Sequence, residues 1–185
     1  RAFGTFTLIN STVSENEATA GRGGGILRYS RRLIVTDSTI SDNHAYSTGG
    51  GIERRYGSIV MTGSTVSGNS AVNGGGLHMY KPYEGQIVNS TITGNLASNK
   101  GGGIYASHLA NVDLENSTIT DNDAGFQGGG VYNNGTTDAI RSLIAGNTAG
   151  NAGDEVYNSF FKTFNGNNDN VFGHSGLTNA DAFAN

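Results

Sequence analysis

The chain has 185 residues, a formal net charge of −4 and a pI near 5.4, which argues against a general nucleic-acid binder. It has no cysteine, so a disulfide framework and a thiolate metal site are excluded, and no run of 18 apolar residues, so nothing in it reads as a membrane span. Glycine is abundant, with 30 residues, and charged residues make up only 14%, but apolar residues recur in fixed columns, which is not the pattern of a disordered chain.

The first strand-like segment is centred on Leu8 and the second on Val13, inside Ser11-Thr12-Val13-Ser14-Glu15-Asn16. A polar stretch follows, then Gly23-Gly24-Gly25 and a third segment opened by Ile26. The same order then returns: Val35, Ile40, Asn43, Gly49 to Gly51, Ile52; Met61, Val66, Asn69, Gly74 to Gly76, Leu77; Ile87, Ile92, Asn95, Gly101 to Gly103, Ile104; Leu114, Ile119, Asn122, Gly128 to Gly130, Val131. A sixth copy runs through Ala139, Ile144 and Asn147 to Gly153-Asp154-Glu155-Val156, and reads as a decayed triplet. Copies lie 25 to 27 residues apart, counted between Ser11, Ser38, Ser64, Ser90, Ser117 and Ser142.

A fixed period of this size means stacked supersecondary units. Alternating flanks around each Val or Ile, and enrichment in Val, Ile and Thr, are strand signals. Three short strands per repeat, closed by Gly/Asn-rich bends, predict an all-β, right-handed, single-stranded parallel β-helix of about six to seven rungs. With rungs about 4.8 Å apart, the rod is roughly 30 Å long. The repeats are assigned to residues 1–157 and a non-repeat cap or docking segment to 158–185, where Phe160, Phe161, Phe164, Phe172 and Phe183 fall.

Asn16, Asn43, Asn69, Asn95, Asn122 and Asn147 share one column, and stacked at one corner their amides are expected to form a structural ladder. The glycine triplets are not phosphate loops, because no Lys-Ser/Thr follows any of them. Glycines at a bend where rungs approach closely explain them better.

Asn89-Ser90-Thr91-Ile92-Thr93-Gly94-Asn95 followed by Gly101-Gly102-Gly103-Ile104-Tyr105 resembles the parallel β-helix repeat of bacterial surface proteins. These include the polymorphic outer-membrane-protein-like repeats and the choice-of-anchor and CSLREA-type extracellular proteins. The tail from Asn170 to Phe183 is similar to a segment that follows the repeats in that group. The resemblance implies the fold and an extracellular or cell-surface location in a bacterium. With a start at Arg1 and no visible signal peptide, the chain reads as a processed piece of a longer secreted protein.

Carbohydrate-active β-helices need clustered carboxylates with a basic group. The candidates are Asp37 with Asp42, Asp121 with Asp123, and Glu53 with Arg54, Arg55 and His78. The clearest cluster is basic: Arg28, Arg31, Arg32, Arg54 and Arg55, with Tyr29 and Tyr56, fall in the first two rungs and suit an anionic glycan or a protein partner. Stacking is expected to bring Arg28 beside Arg54, with Glu53 as a partner. The four histidines do not share a column. No cofactor or metal site and no catalytic residue is assigned. The outward pairs Thr12/Ser14, Thr39/Ser41, Thr65/Ser67, Thr91/Thr93 and Thr118/Thr120 form a regular face similar to that of ice-binding solenoids.

The leading expectation is an extracellular structural or adhesive rod that self-associates through its ends into a fibre or meets other surface proteins. The alternative is a polysaccharide lyase or glycan-binding module, and a minor alternative is an ice-binding face.

Overall fold

The computed structural model describes residues 4–29, 31–80, 84–159, 162–166, 169–173 and 183–184. Phe160, Phe161 and His174 lie outside the described residues. Among the described residues there is no helix, so none that is long and apolar enough to cross a membrane.

The chain winds through four parallel sheets in turn. Sheet 1 runs from Phe6–Ile9 to Thr163–Gly166, and sheet 2 from Thr12–Ser14 to Val171–Gly173. Sheet 3 runs from Glu17–Ala18 to Thr148–Ala149, and sheet 4 from Ile26–Arg28 to Phe183–Ala184. Among the described residues, sheets 1, 2 and 4 have seven strands each and sheet 3 has six. Each strand pairs with its counterpart one repeat away, as in Val13↔Ile40 and Val66↔Ile92. The fold is the right-handed parallel β-helix that right-handed crossovers between parallel strands produce. Besides the three strands expected in each repeat there is a fourth, as short as His44–Ala45, just after the ladder asparagine.

The interior is built from columns. Val35, Met61, Ile87, Leu114 and Ala139 stack on sheet 1, and Ile40, Val66, Ile92, Ile119 and Ile144 on sheet 2. Ile26, Ile52, Leu77, Ile104, Val131 and Val156 stack on sheet 4. All are buried, and each Val, Ile or Leu contributes about 1.5–3 kcal/mol. Sheet 3 supplies only alanines, Ala45, Ala71, Ala97 and Ala124. Phe164 and Phe172 continue the packing past residue 157, edge to face with centroids 5.7 Å apart.

The corner between sheets 2 and 3 holds the asparagine ladder. Each Asn donates its backbone N–H and its Nδ2 to Oδ1 of the next Asn at 2.9–3.0 Å, from Asn16 to Asn147. Nδ2 also reaches back to a carbonyl of the preceding rung, as from Asn69 to Ile40 at 2.9 Å. The left-handed backbone falls on the residue just before the ladder Asn: Glu15, Asp42, Gly68, Gly94, Asp121 and Gly146 have φ of 55–74°, each near the αL well. The ladder asparagines are therefore selected for their amides, not for αL tolerance.

The third glycine of each triplet makes room for that ladder. A Cβ on Gly51 would meet Asn69 Nδ2 at 3.0 Å and the Gly76 carbonyl oxygen at 2.7 Å, although the backbone there is not left-handed.

Candidate functional site

On sheet 4 the Ile/Leu/Val column points inward, so the following residue points out. That outer row is Leu27, Glu53, His78, Tyr105, Tyr132 and Tyr157, in register from rung to rung. Tyr105 and Tyr132 stack with centroids 4.8 Å apart, and Tyr132 and Tyr157 at 5.2 Å, while His78 meets Tyr105 edge-on at 4.9 Å. Lys100 covers Tyr132, with its Nζ 4.6 Å from the ring centroid and 3.2 Å from the hydroxyl. Burial, and the neighbouring Tyr132, push the Tyr105 phenol above its ordinary range.

Glu53 and His78 are the titratable pair at one end of this row. Glu53 Oε2 lies 2.6 Å from His78 Nδ1, and Arg55 Nη1 lies 3.7 Å from Glu53 Oε1. Glu53 is fully buried and His78 nearly so. Arg55 roofs the pair, with its guanidinium 4.7 Å from the Tyr80 ring centroid and 5.7 Å from that of Tyr29. A carboxylate holding an imidazole is a general-base arrangement, but this one is sealed beneath its own roof.

The basic residues separate into two groups. Arg28 and Arg54 are in register on the inward-facing row of sheet 4. Arg54 is 1% exposed and donates through Nε to the Ser58 carbonyl (3.1 Å) and through Nη1 to the Arg28 carbonyl (3.3 Å). Arg28 is half-buried, with its guanidinium 5.7 Å from the Phe6 ring centroid, and donates to the Gly4 carbonyl. The partners of Glu53 are thus Arg55 and His78, and the pair expected from stacking, Arg28 with Arg54, is aimed into the coil. Arg31, Arg32, Tyr29 and Tyr56 are exposed and Arg55 partly so; these are the members of the cluster that face solvent.

The tyrosine row went unread in the sequence. Its signal is the position just after the Ile/Leu/Val column, where Tyr105, Tyr132 and Tyr157 recur at the repeat spacing.

Two further outer surfaces are regular. On sheet 2, Thr12, Thr39, Thr65, Thr91 and Thr118 form one row and Ser14, Ser41, Ser67, Thr93 and Thr120 the other. On sheet 1, Gln86, Asp113, Asp138 and Asn165 line a groove of about 650 Å³ with Glu115 and Ile140. Burial, then Asp138 and Glu84, raise the Asp113 carboxyl above its ordinary range. Asp123 is held by the Thr148 hydroxyl at 2.7 Å, His44 meets Ser70 at 2.9 Å and His108 meets Lys162 at 3.3 Å, each pair in its own place.

The chain matches the family described as "Periplasmic copper-binding protein (NosD)" over residues 7–176. No curated protein and no solved structure matches.

Proposed function

The chain belongs to the NosD family, described as periplasmic copper-binding proteins, and from that premise we propose that it works outside the cytoplasm as a rigid, non-catalytic β-solenoid rod. The observation that carries this reading is the asparagine ladder, which runs from Asn16 to Asn147 with every step made by the same two hydrogen bonds. A coil cross-linked at each rung resists bending and local opening, which suits a spacer or display surface in the bacterial envelope.

The family description raises copper. Copper sites draw on imidazole, thiolate and thioether ligands. Among the described residues no three of His, Cys, Asp and Glu converge on one point. Met61 and Met79 are inside the coil, and the chain has no cysteine. The described residues do not make a copper site, and no step of the proposed function passes through copper.

The lyase reading separates from the rod cheaply. Incubation with acidic polysaccharides, followed at the absorbance of new unsaturated ends, is expected to show no turnover; turnover abolished by His78→Ala would replace the rod reading with an enzyme.

A second reading, in which the rod also holds an anionic glycan, is favoured by Arg55 lying between Tyr29 and Tyr80 with Arg31, Arg32 and Tyr56 exposed nearby. A cation fixed on aromatic faces suits a carboxylated sugar. Calorimetry with uronate oligosaccharides is expected to show binding that Arg55→Ala with Tyr29→Ala removes; equal heats for both proteins would defeat it.

A further inference from the structure

The clamp around Arg55 is set by strand register. On sheet 4 the outward position after the inward Arg28, Arg54 and Met79 is held by Tyr29, Arg55 and Tyr80. Backbone pairing carries these three onto neighbouring rungs: the Arg55 N–H donates to the Arg28 carbonyl at 3.0 Å and the Tyr80 N–H to the Arg54 carbonyl at 2.8 Å. The guanidinium therefore stands between two phenol rings, 4.7 Å from the Tyr80 centroid and 5.7 Å from that of Tyr29. Tyr29 is 54% exposed and the Arg55 side chain 15%, so a ligand can reach the clamp from solvent.

The rings hold the guanidinium, but its hydrogen bonds to Glu53 are not made. Arg55 Nη1 lies 3.7 Å from Glu53 Oε1, beyond hydrogen-bond distance. Among the described residues, Arg55 Nε is buried without an acceptor and Glu53 Oε1 is buried without a donor. The other carboxylate oxygen is taken, with Glu53 Oε2 2.6 Å from His78 Nδ1. Glu53 is fully buried, so Oε1 cannot turn to solvent. Buried charged pairs normally close such bonds. Here Glu53 offsets the charge of Arg55 but leaves its planar fork of donors for another oxyanion.

We infer that Glu53 is an internal counter-ion that Arg55 exchanges for the carboxylate of a bound uronate, with His78 left as the partner of Glu53. The inference rests on the reading in which the rod holds an anionic glycan at Arg55, and adds how that site is regulated. A ligand carboxylate can take two parallel N–H groups from the guanidinium fork, which Glu53 at 3.7 Å does not. Its arrival brings a second negative charge beside Glu53. Among the described residues, the titratable groups packed on the Glu53–His78 pair are Arg55, Tyr80 and Tyr105, the last two with ring centroids 6.2 and 4.9 Å from the imidazole. With Arg55 engaged by the ligand, the imidazole is the group that answers the Glu53 charge, so binding draws a proton from solvent onto His78. Uronate affinity therefore rises as pH falls.

Calorimetry of the wild-type chain with galacturonate oligosaccharides tests the exchange without any variant. The heat is expected to differ between buffers of different ionisation enthalpy in the direction of proton uptake, and the affinity to rise about 3- to 10-fold from pH 8 to pH 6. Glu53→Gln removes the competing charge and is expected to tighten binding about 10-fold at pH 7. His78→Gln is expected to bind without the pH dependence. Should Glu53→Gln not fold, the wild-type buffer comparison decides alone. Equal heats in the two buffers with a pH-independent affinity, or a folded Glu53→Gln that binds no tighter than the wild type, would overturn the exchange and leave the uronate reading standing. No binding by the wild type, or binding that Arg55→Ala leaves intact, would overturn both.

Discussion

Asn69 gives both its backbone N–H and its side-chain Nδ2 to one atom, Oδ1 of Asn95, each at 3.0 Å. Neither residue is exposed. A buried amide left without its partner costs far more than an ordinary hydrogen bond gains, so this contact, repeated along the corner, makes the coil intolerant of gaps. Asn95→Ala removes the acceptor of two Asn69 donors and is expected to lower unfolding free energy by about 3 kcal/mol in urea titration. Asn16→Ala, at the exposed start of the ladder, should cost less than about 1 kcal/mol. Equal costs at the two positions would mean that the ladder is not cooperative with the fold.

Two glycines in one rung separate steric need from backbone need. A Cβ on Gly103 would meet the Gly130 carbonyl oxygen at 2.7 Å and Asn122 Nδ2 at 3.1 Å, on a backbone that is not left-handed. Gly94 has a φ of +62° and nothing nearer than 3.9 Å. Gly103→Ala is expected to cost about 3 kcal/mol through overpacking, and Gly94→Ala about 1 kcal/mol through strain. Thermal unfolding of the two variants side by side checks the order.

The columns that wind the coil were legible in the sequence because each carries apolar residues at a spacing of 25 to 27 residues, as Ile92, Ile119 and Ile144 do. Sheet 3 was not, because two residues such as His44–Ala45 are too few for alternation to show and its inward column is only alanine. Arg54 misled for a different reason. Charge is read as surface, but strict alternation puts Arg54 inward, two residues after Ile52, and backbone carbonyls of Ser58 and Arg28 receive it there. Glu155 was hidden because a departure from a repeat looks like decay until its partners are seen: its Oε2 accepts from Asn147 Nδ2 at 2.6 Å.

Acidification should act through Asp113. Its carboxyl is raised by burial, then by Asp138 and Glu84, so the folded chain holds that proton more tightly than the unfolded chain. Stability from this group therefore rises as pH falls through the raised value and levels off below the ordinary aspartate range. Asp113→Asn is expected to raise the melting temperature at pH 7, with the gain shrinking as pH falls toward 4. A pH-independent difference between the two proteins would contradict this.

Glu53 and His78 should behave as one coupled, buried unit. Glu53→Leu leaves His78 and Arg55 without their carboxylate in a sealed place and is expected to cost about 3–5 kcal/mol. Glu53→Leu combined with His78→Leu should cost less than Glu53→Leu alone, since the pair is removed together. Denaturant titration of the single and double variants measures the coupling, and additive losses would show that the two side chains are independent.

The winding itself is tested most directly by cysteine pairs in a chain that has no cysteine of its own. Thr65 and Thr91 are register partners on neighbouring strands of sheet 2, and Thr118 follows one rung further on. Strands about 4.8 Å apart fall within the Cα range of a disulfide, and two rungs, at about 10 Å, fall outside it. Oxidation of the Thr65→Cys/Thr91→Cys variant should give an intramolecular disulfide, while Thr65→Cys/Thr118→Cys stays reduced. A disulfide in the second variant, or none in the first, would mean that the repeats do not stack as successive turns of one parallel coil.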